Sequence, residues 1–254
     1  MSACVNRGGA ASRLLLPENP VLEQETALDG HWPEALHSWQ ARPGEILTAI
    51  SPDRTAFRVR LTCLSDSEAR CVPFERLRQS PESPLAIEVY QALPDKERFE
   101  TVLQKLTELG VVRIVPMQTE RSLTLAERDA GQKKSHRWPE VLLRAARQCR
   151  RALIPELHEV VPFAAALEMA ARAELSLMLY EGDVHWTLEE GIGSFTPQNV
   201  ALMVGPEGGF SDAERDAAQN AGILPVGLGP RILRTETAAI AAAAILQNRI
   251  GDLR

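Results

Sequence analysis

The second half of the chain alternates short apolar runs with helical patterns, and this alternation limits the possible folds more than any other feature of the sequence. Apolar runs typical of β-strands begin at residues 86, 111, 174, 199 and 223. Between two of them, residues 97–110 carry apolar side chains at helical spacing and end at Gly110, a common helix stop. Strands joined by helices favour a parallel sheet, so we expect an α/β domain over residues 85–254.

The first part of the chain has a different pattern. Residues 46–50 and 56–64 are strand candidates, and Ser51-Pro52-Asp53 between them is typical of a turn. Residues 78–85 (RQSPESPL) contain two prolines and two serines and indicate a linker. We therefore expect a small β-rich domain over residues 1–84, followed by the α/β domain.

Composition and cysteine use exclude several classes of protein. The net charge of -6 argues against a protein that simply coats nucleic acid, although local charge must be considered separately. Cys4, Cys63, Cys71 and Cys149 are scattered, which predicts neither a zinc site nor a disulfide framework, and we expect no metal. No apolar run is long enough to span a membrane, and the N-terminus does not resemble a signal peptide. A soluble, cytoplasmic protein is expected.

A first glycine motif, VGPEGGFSDAE, occupies residues 204–214. Ser211 and Glu214 have the spacing of a capping box, which predicts that a helix begins there. Gly208 and Gly209 permit close approach of the main chain to a flat ligand. The lysine of a P-loop is absent. Taken alone, the motif fits an ordinary tight turn between a strand and a helix as well as a ligand-binding loop.

A second motif, LGPRILRTETAAI, occupies residues 228–240. If the two loops follow neighbouring strands of a parallel sheet, they face one crevice, where ligands bind in such folds. Arg234 and Glu236 could instead form an ion pair that only holds the loop. Residues 238–244 are alanine except for one isoleucine, which favours helix and also allows another segment of main chain to approach closely.

The segment 133–151 concentrates positive charge, with seven basic residues and one acid. At helical spacing, several arginines form one stripe, while Trp138, Leu142 and Ala145 belong to the opposite, buried side. Such a patch in an acidic chain favours a polyanionic partner, although a solvated helix face would have the same pattern. Arg98, at the start of the helix over 97–110, belongs to a smaller charge cluster that also fits an ordinary helix start.

Four stretches together resemble the RsmE family of ribosomal RNA uridine N3-methyltransferases, which belong to the SPOUT class. They are ERFETVLQKLTELGVVRIVPMQTERS, RWPEVLLRAARQC, MVGPEGGFSDAE and LGPRILRTETAAIAAAAILQ, in collinear order over residues 87–254. The resemblance implies a trefoil-knot α/β methyltransferase domain that binds S-adenosylmethionine in the knot. It also implies a homodimer and a PUA-like β-barrel at the N-terminus that contacts 16S ribosomal RNA.

The resemblance also implies roles for individual residues. We expect Arg234 to stabilise an anionic uracil, Glu236 to accept the proton or orient Arg234, and Arg98 to add positive potential. The residues expected to contact the cofactor are Leu179, Tyr180, Val204, Gly205, Pro206, Glu207, Gly208, Gly209, Leu228, Gly229, Arg231, Ile232, Leu233 and Thr237. Those expected to contact RNA are Lys133, Lys134, Arg137, Arg144, Arg147 and Arg151.

Some positions depart from the family pattern. Asp95 occupies the position of a lysine, Arg147 that of an acid, and Arg150 that of a glycine, while Leu153 stands where a basic residue is common. Two alternatives therefore accompany the expected activity: a catalytically silent knotted RNA-binding protein, and a SPOUT methyltransferase that acts on another RNA nucleotide. A third, a nucleotide-phosphate enzyme built on the glycine loops, lacks the expected lysine.

Overall fold

The computed structural model describes residues 5–6, 8–28, 30–94, 96–130 and 137–253. The chain divides into two compact units, each with its own sheet. The first unit contains residues 6–82 and 142–156, and the second contains residues 83–141 together with the chain from 157 onward. The first unit thus includes residues 142–156, which the sequence analysis had assigned to the α/β domain.

In its described residues, the first unit contains a five-stranded sheet, a short helix and a 3-10 turn, Gly9–Ser12, together with the end of a helix that it shares with the second unit. Strand order is β1-β3-β4-β5-β2, antiparallel except for β1 against β3. The elements are β1 (Leu14–Leu15), β2 (Thr26–Ala27), α1 (Trp32–Ser38), β3 (Ile46–Ile50), β4 (Ala56–Leu64) and β5 (Ala69–Arg76). Both strands predicted for this region, 46–50 and 56–64, are confirmed.

Residues 142–156 belong to the first unit because several bonds hold them there. The backbone N–H of Gly9 donates to the carbonyl of Ile154 at 2.7 Å, and the N–H of Ile154 donates to Oγ of Ser12 at 2.9 Å. Glu82 accepts hydrogen bonds from the main-chain N–H groups of Ala152 at 2.7 Å and Leu153 at 3.2 Å. These contacts join residues far apart in sequence, so a linker composition at 78–85 could not reveal them.

The second unit contains a parallel sheet, as predicted. In the described residues its strand order is β12-β10-β11-β6-β7-β8, with β9 also paired to β7. Its strands are β6 (Ala86–Ala92), β7 (Arg113–Gln118), β8 (Glu156–Leu157), β9 (Val161–Pro162), β10 (Leu175–Leu179), β11 (Asn199–Val204) and β12 (Leu224–Val226). Its helices are α2 (Lys96–Glu108), α3 (Leu125–Asp129), α5 (Phe163–Ala170), α6 (Leu188–Ile192), α7 (Asp212–Asn220) and α8 (Thr235–Ile250). Helix α4 (Trp138–Gln148) starts in this unit and ends in the first.

Alternation along β6 separates two apolar layers on the faces of the parallel sheet. Tyr90 and Ala92 belong to a buried cluster with residues of α5 and α7. Gln91, on the opposite face, bonds to Thr235 at the start of α8, and α8 contacts α2, β6 and β11. The sheet is therefore covered by helices on both faces, which explains why its strands are almost continuously apolar.

The alanine-rich helix α8 is buried along one side. Ala239, Ala242 and Ala243 have no exposed surface, and Leu246 and Gln247 continue the same buried side. Small side chains on this side allow α8 to lie close to α2 and the sheet, as the sequence predicted. The helix is longer than the predicted alanine run of residues 238–244. No helix in the part of the chain that the structure describes has both the length and the apolar character to cross a membrane.

Candidate functional site

A cavity of about 370 Å³ lies at the carboxyl ends of β10, β11 and β12. The loops that follow these three strands form its walls. The two glycine motifs therefore line one cavity, as the sequence predicted, but their strands are not neighbours, since β10 lies between β11 and β12. The loop after β10 therefore also contributes to the wall, with Tyr180, Glu181 and Gly182.

The first glycine loop makes a tight turn directly after β11. The N–H of Gly209 donates to the carbonyl of Pro206 at 3.0 Å. Gly209 has φ +67°, a backbone conformation that residues with a Cβ rarely adopt. The predicted capping box is confirmed, since Ser211 and Glu214 each bond to the other's backbone N–H. The turn and the cap together place the start of α7 beside the cavity.

A buried threonine joins the two glycine motifs. Oγ1 of Thr235 donates to the carbonyl oxygen of Gly205 at 2.5 Å and accepts a hydrogen bond from Nε2 of Gln91 at 2.9 Å. Thr235 is 5% exposed and Gln91 is fully buried. The sequence analysis did not select either residue, because the partners of a threonine within a polar motif depend on which strand ends meet.

Most of the residues predicted to contact a cofactor line the cavity. The predicted residues that line it are Leu179, Tyr180, Val204, Gly205, Pro206, Glu207, Gly209, Leu228, Gly229, Arg231, Ile232 and Leu233. Two of the predicted residues, Gly208 and Thr237, do not line the cavity. The carbonyl of Gly208 instead accepts a hydrogen bond from Arg121 at 2.9 Å, and Thr237 is exposed in the first turn of α8.

The sequence analysis missed other lining residues. They are Glu181, Gly182, Val184, Phe210, Val226, Gly227, Pro230, Thr235 and Ala238. Several of them lie within two residues of a predicted position, so widening each motif by one or two residues would have found them. Val184 lies further from any predicted position and joins the wall through the fold of the loop after β10.

Three charged residues were expected to act in the methyl-transfer chemistry: Arg98, Arg234 and Glu236. Arg98 and Arg234 line the cavity, whereas Glu236 is not part of its wall. Nη1 of Arg98 lies 2.8 Å from Oε1 of Glu207, and both side chains are about one third exposed. Oε2 of Glu236 is buried and has no hydrogen-bond partner within the described residues, and no ion pair joins Glu236 to Arg234.

Tyr180 closes one side of the cavity through contacts with the first turn of α7. Its hydroxyl donates to Oδ1 of Asp212 at 2.8 Å, and the guanidinium of Arg215 lies 5.4 Å from its ring centroid. The hydrogen bond to Asp212 is the main cause that raises the pKa of Tyr180, followed by burial. The ring is thereby held in one orientation.

The basic residues predicted to contact RNA differ in exposure and in their partners. Lys133 and Lys134 lie outside the described residues, as does Asp95. Arg137, directly before α4, and Arg144, on α4, are both exposed. Arg147 is exposed, but its guanidinium contacts Glu45 at 3.2 Å and the carbonyl of Trp39.

The prediction that Arg151 lies on an exposed stripe was wrong. Helix α4 ends at Gln148, so Arg151 no longer follows the helical spacing. Its side chain is 2% exposed and contacts Oε2 of Glu82 at 2.6 Å, inside the first unit. A buried guanidinium with a carboxylate partner is a structural ion pair and leaves nothing to offer a phosphate.

The described residues contain no group of three or more His, Cys, Asp or Glu side chains that could hold a metal ion. The cavity walls are mainly apolar side chains and main chain, with charged groups from Arg98, Glu207, Glu181 and the arginines of the second glycine loop. Its volume lies within the range of about 300–1,000 Å³ that is usual for small-molecule sites.

Comparisons with known proteins agree with this geometry. A family described as RNA methyltransferase domain matches residues 81–247. Ribosomal RNA small subunit methyltransferase E of Bacillus subtilis is 29% identical over 218 residues, covering 83% of this chain and 84% of that protein. Its counterpart from Buchnera aphidicola (Schizaphis graminum) is 34% identical over 175 residues, covering 68% and 69%.

Two solved structures cover almost the whole chain. One is the ribosomal RNA small subunit methyltransferase E of Neisseria gonorrhoeae bound to S-adenosyl methionine, with 32% identity, a TM-score of 0.67 and coverage of 95% of this chain and 99% of that one. The other is a putative methyltransferase from Legionella pneumophila with bound S-adenosyl methionine, with 35% identity, a TM-score of 0.64 and coverage of 95% and 98%.

Proposed function

Because this chain belongs to the RsmE family of ribosomal RNA small subunit methyltransferases, of the SPOUT class, we propose that it transfers a methyl group from S-adenosylmethionine to N3 of a uridine in 16S ribosomal RNA. The observation that carries the proposal is the cavity itself. Both motifs that resemble the family line it, and the bond from Thr235 to Gly205 connects them.

The residues of the cavity fit S-adenosylmethionine. Leu179, Val204, Phe210 and Val226 supply apolar surface suited to a flat adenine ring. The tight main chain of the glycine loops leaves peptide groups near the ligand, which can bond to the polar edge of a base. The carboxylate of Glu207, at the cavity wall, suits ribose hydroxyls or a cationic amino group. S-Adenosylmethionine supplies an electrophilic methyl group carried on a sulfonium.

The protein must handle charge and a proton on the uridine. Methylation at N3 requires loss of the N3–H proton, and the resulting negative charge spreads onto the two carbonyl oxygens of the base. Arg234 lines the cavity, and its planar guanidinium suits a carbonyl edge, so we assign it to stabilise this charge. A donor that acts on charge formed during the reaction lowers the barrier more than it strengthens binding.

Glu236 is our candidate proton acceptor. Its buried Oε2 has no protein partner among the described residues, so a carboxylate lone pair is available to a proton or a donor. Arg98 adds positive potential at the cavity, but its contact with Glu207 makes it first a positioning residue for the glycine loop.

The same proposal covers RNA contact, assembly and location. The first unit would be a PUA-like domain that contacts RNA, and the exposed Arg137 and Arg144 are suited to phosphates. The alanine-rich helix α8 keeps a partly exposed apolar side, with Ala241 and Ile245, that could pack against a second copy in a homodimer. Cytoplasmic location and a trefoil knot around the cavity complete the proposal.

The test is mapping of the methylated nucleotide. Small subunits, and separately their free RNA, from a bacterial strain lacking its own family member would be incubated with the protein and S-adenosylmethionine. Nuclease digestion and mass spectrometry should then reveal one added methyl group on a uridine, at N3. A methyl group on another nucleotide would favour the alternative SPOUT activity, and cofactor binding without transfer would favour a silent RNA-binding protein.

A further inference from the structure

Arg150 has an unusual backbone conformation in the first unit. It follows the end of α4 with φ +60°, in the left-handed region that glycine adopts freely and arginine rarely does. The matching position of the family pattern is a glycine, so the arginine is a feature of this chain. Strained conformations persist where the surrounding structure holds them, and they concentrate at functional sites.

Hydrogen bonds connect Arg150 to a second arginine. Nη1 of Arg58, on β4, donates to Oγ1 of Thr48 at 2.6 Å, and Thr48 is the registered neighbour of Arg58 on β3. The same Oγ1 donates to the carbonyl oxygen of Arg150 at 3.1 Å. A single threonine therefore holds the guanidinium of one arginine and the main chain of the other.

In the part of the chain that the structure describes, neither arginine forms an ion pair of the kind that neutralises Arg147 and Arg151, although Glu75 on β5 is registered opposite Arg58. Arg147 contacts Glu45 and Arg151 contacts Glu82, but no ion pair within the described residues involves Arg58 or Arg150. Burial, and then the charge of Arg150, lower the pKa of Arg58, while Glu75 acts in the opposite direction. The hydroxyl of Thr48 separates the guanidinium of Arg58 from the main chain of Arg150, so an anion bound here would lie near both positive side chains.

We propose that Arg58 and Arg150 together bind one phosphate group of the RNA backbone in the first unit. The site rests on the proposed function, since it takes the RNA substrate as its ligand. Guanidinium groups match phosphate geometry through paired N–H donors, and backbone phosphates position a protein on RNA without reading its sequence. Arg58 is preorganised by Thr48, and Arg150 is exposed and free to close over the anion.

The test compares Arg150→Gly, Arg58→Gln and the double variant with the wild-type chain. Binding of a fluorescent small-subunit ribosomal RNA fragment would be followed by anisotropy over a range of salt concentrations. We expect each single variant to bind about tenfold more weakly at low salt, and the slope of log affinity against log salt to fall by about one. The double variant should lose less than the sum of the two, because both residues hold the same phosphate.

Arg54→Gly is the matched control. Arg54 is also exposed, also in the first unit and also at φ +65°, so the change removes the same charge and the same strain. We expect it to leave RNA affinity and salt slope near the wild-type values. Arg150→Gly restores a residue suited to its φ, so loss of folding will not explain weaker binding, and calorimetry with S-adenosylmethionine would show that the cofactor site is intact.

Three results would overturn the proposal. Unchanged affinity and slope in Arg150→Gly, with methyl transfer by the wild-type chain intact, would reject the phosphate site and leave the proposed function standing. An equal loss in Arg54→Gly would show that general charge, not this pair, matters. Failure of the wild-type chain to bind the RNA or methylate it would reject both proposals.

Discussion

The hydroxyl of Thr235 bonds to the carbonyl oxygen of Gly205 at 2.5 Å, and this contact ties the first residue of the C-terminal helix to the glycine loop after β11. Gln91 of β6 bonds to the same hydroxyl at 2.9 Å. Two segments of the cavity wall, 30 residues apart in sequence, therefore share one buried side chain. The geometry of the proposed cofactor site depends on it.

Thr235→Val should weaken the site and the fold together. Valine keeps the volume but removes the hydroxyl that donates to the carbonyl of Gly205 and accepts one of the two hydrogen bonds that Nε2 of Gln91 donates, at a cost of about 1–3 kcal/mol in the free energy of unfolding. We expect S-adenosylmethionine affinity, measured by calorimetry, to fall about tenfold at the same time, which corresponds to about 1.4 kcal/mol. The control is Thr237→Val, at an exposed position two residues further along the chain, which should change neither stability nor cofactor affinity. If Thr237→Val has the same effect as Thr235→Val, the bond from Thr235 to Gly205 does not determine the shape of the cofactor site.

Gly209→Ala and Gly222→Ala should lower stability to a similar extent, but only Gly209→Ala should weaken cofactor binding. Both glycines have positive φ, +67° and +81°, so each alanine should cost about 1–3 kcal/mol of stability, measured by urea unfolding. A Cβ at Gly209 would lie 2.5 Å from Oε1 of Glu181 in the cavity wall, whereas one at Gly222 meets nothing within 4 Å. Cofactor affinity should fall only in Gly209→Ala. Equal affinity in both variants would contradict a role for this turn in the site.

The ion pair of Arg98 and Glu207 should hold the first glycine loop in the position that binds the cofactor. Both side chains are partly exposed, so their ion pair should contribute only about 0.2–1 kcal/mol to stability. If Arg98 acts by positioning Glu207, then Arg98→Gln, Glu207→Gln and the double variant should weaken cofactor binding to a similar extent. Reduced turnover in Arg98→Gln alone, with normal cofactor affinity, would instead indicate direct contact with the RNA base.

Arg234→Ala should lower turnover while cofactor binding survives. Removal of one donor that stabilises charge in a transition state typically costs about 100- to 1,000-fold in kcat. We expect this range for methyl transfer, with the calorimetric Kd for S-adenosylmethionine near the wild-type value. The control is Arg249→Ala, an exposed position in the last turn of α8, the helix that begins directly after Arg234, and it should leave both quantities unchanged. Parallel loss of turnover and cofactor affinity in Arg234→Ala would make the residue part of the cofactor site.

Arg151→Met should destabilise the first unit strongly. The change leaves Glu82, whose side chain is 12% exposed, without its cationic partner, and loss of one member of a buried pair costs about 3–5 kcal/mol. The exposed Arg144→Met should cost less than about 0.5 kcal/mol. Urea unfolding of both variants checks the difference, and similar midpoints would contradict a structural role for Arg151.

The local chemistry of the motifs could be predicted from the sequence because it depends on neighbouring residues. The capping box of Ser211 and Glu214 involves groups three positions apart, and the strands over 46–50 and 56–64 follow from their own side chains. The parallel α/β class follows from the alternation of apolar runs and helices, and the collinear motifs identified the family.

Tertiary structure decided which of these elements meet. The strand order places β10 between β11 and β12, which brings Tyr180 and Glu181 into the cavity wall. Packing within the first unit makes Arg151 the buried partner of Glu82 rather than a surface charge. In the second unit, the carbonyl of Gly208 accepts a hydrogen bond from Arg121. The spacing of residues along a chain indicates only which side chains are neighbours within one helix, turn or strand. These contacts instead join segments dozens of residues apart. Whether a side chain is buried, and which partner it has, depends on that long-range packing.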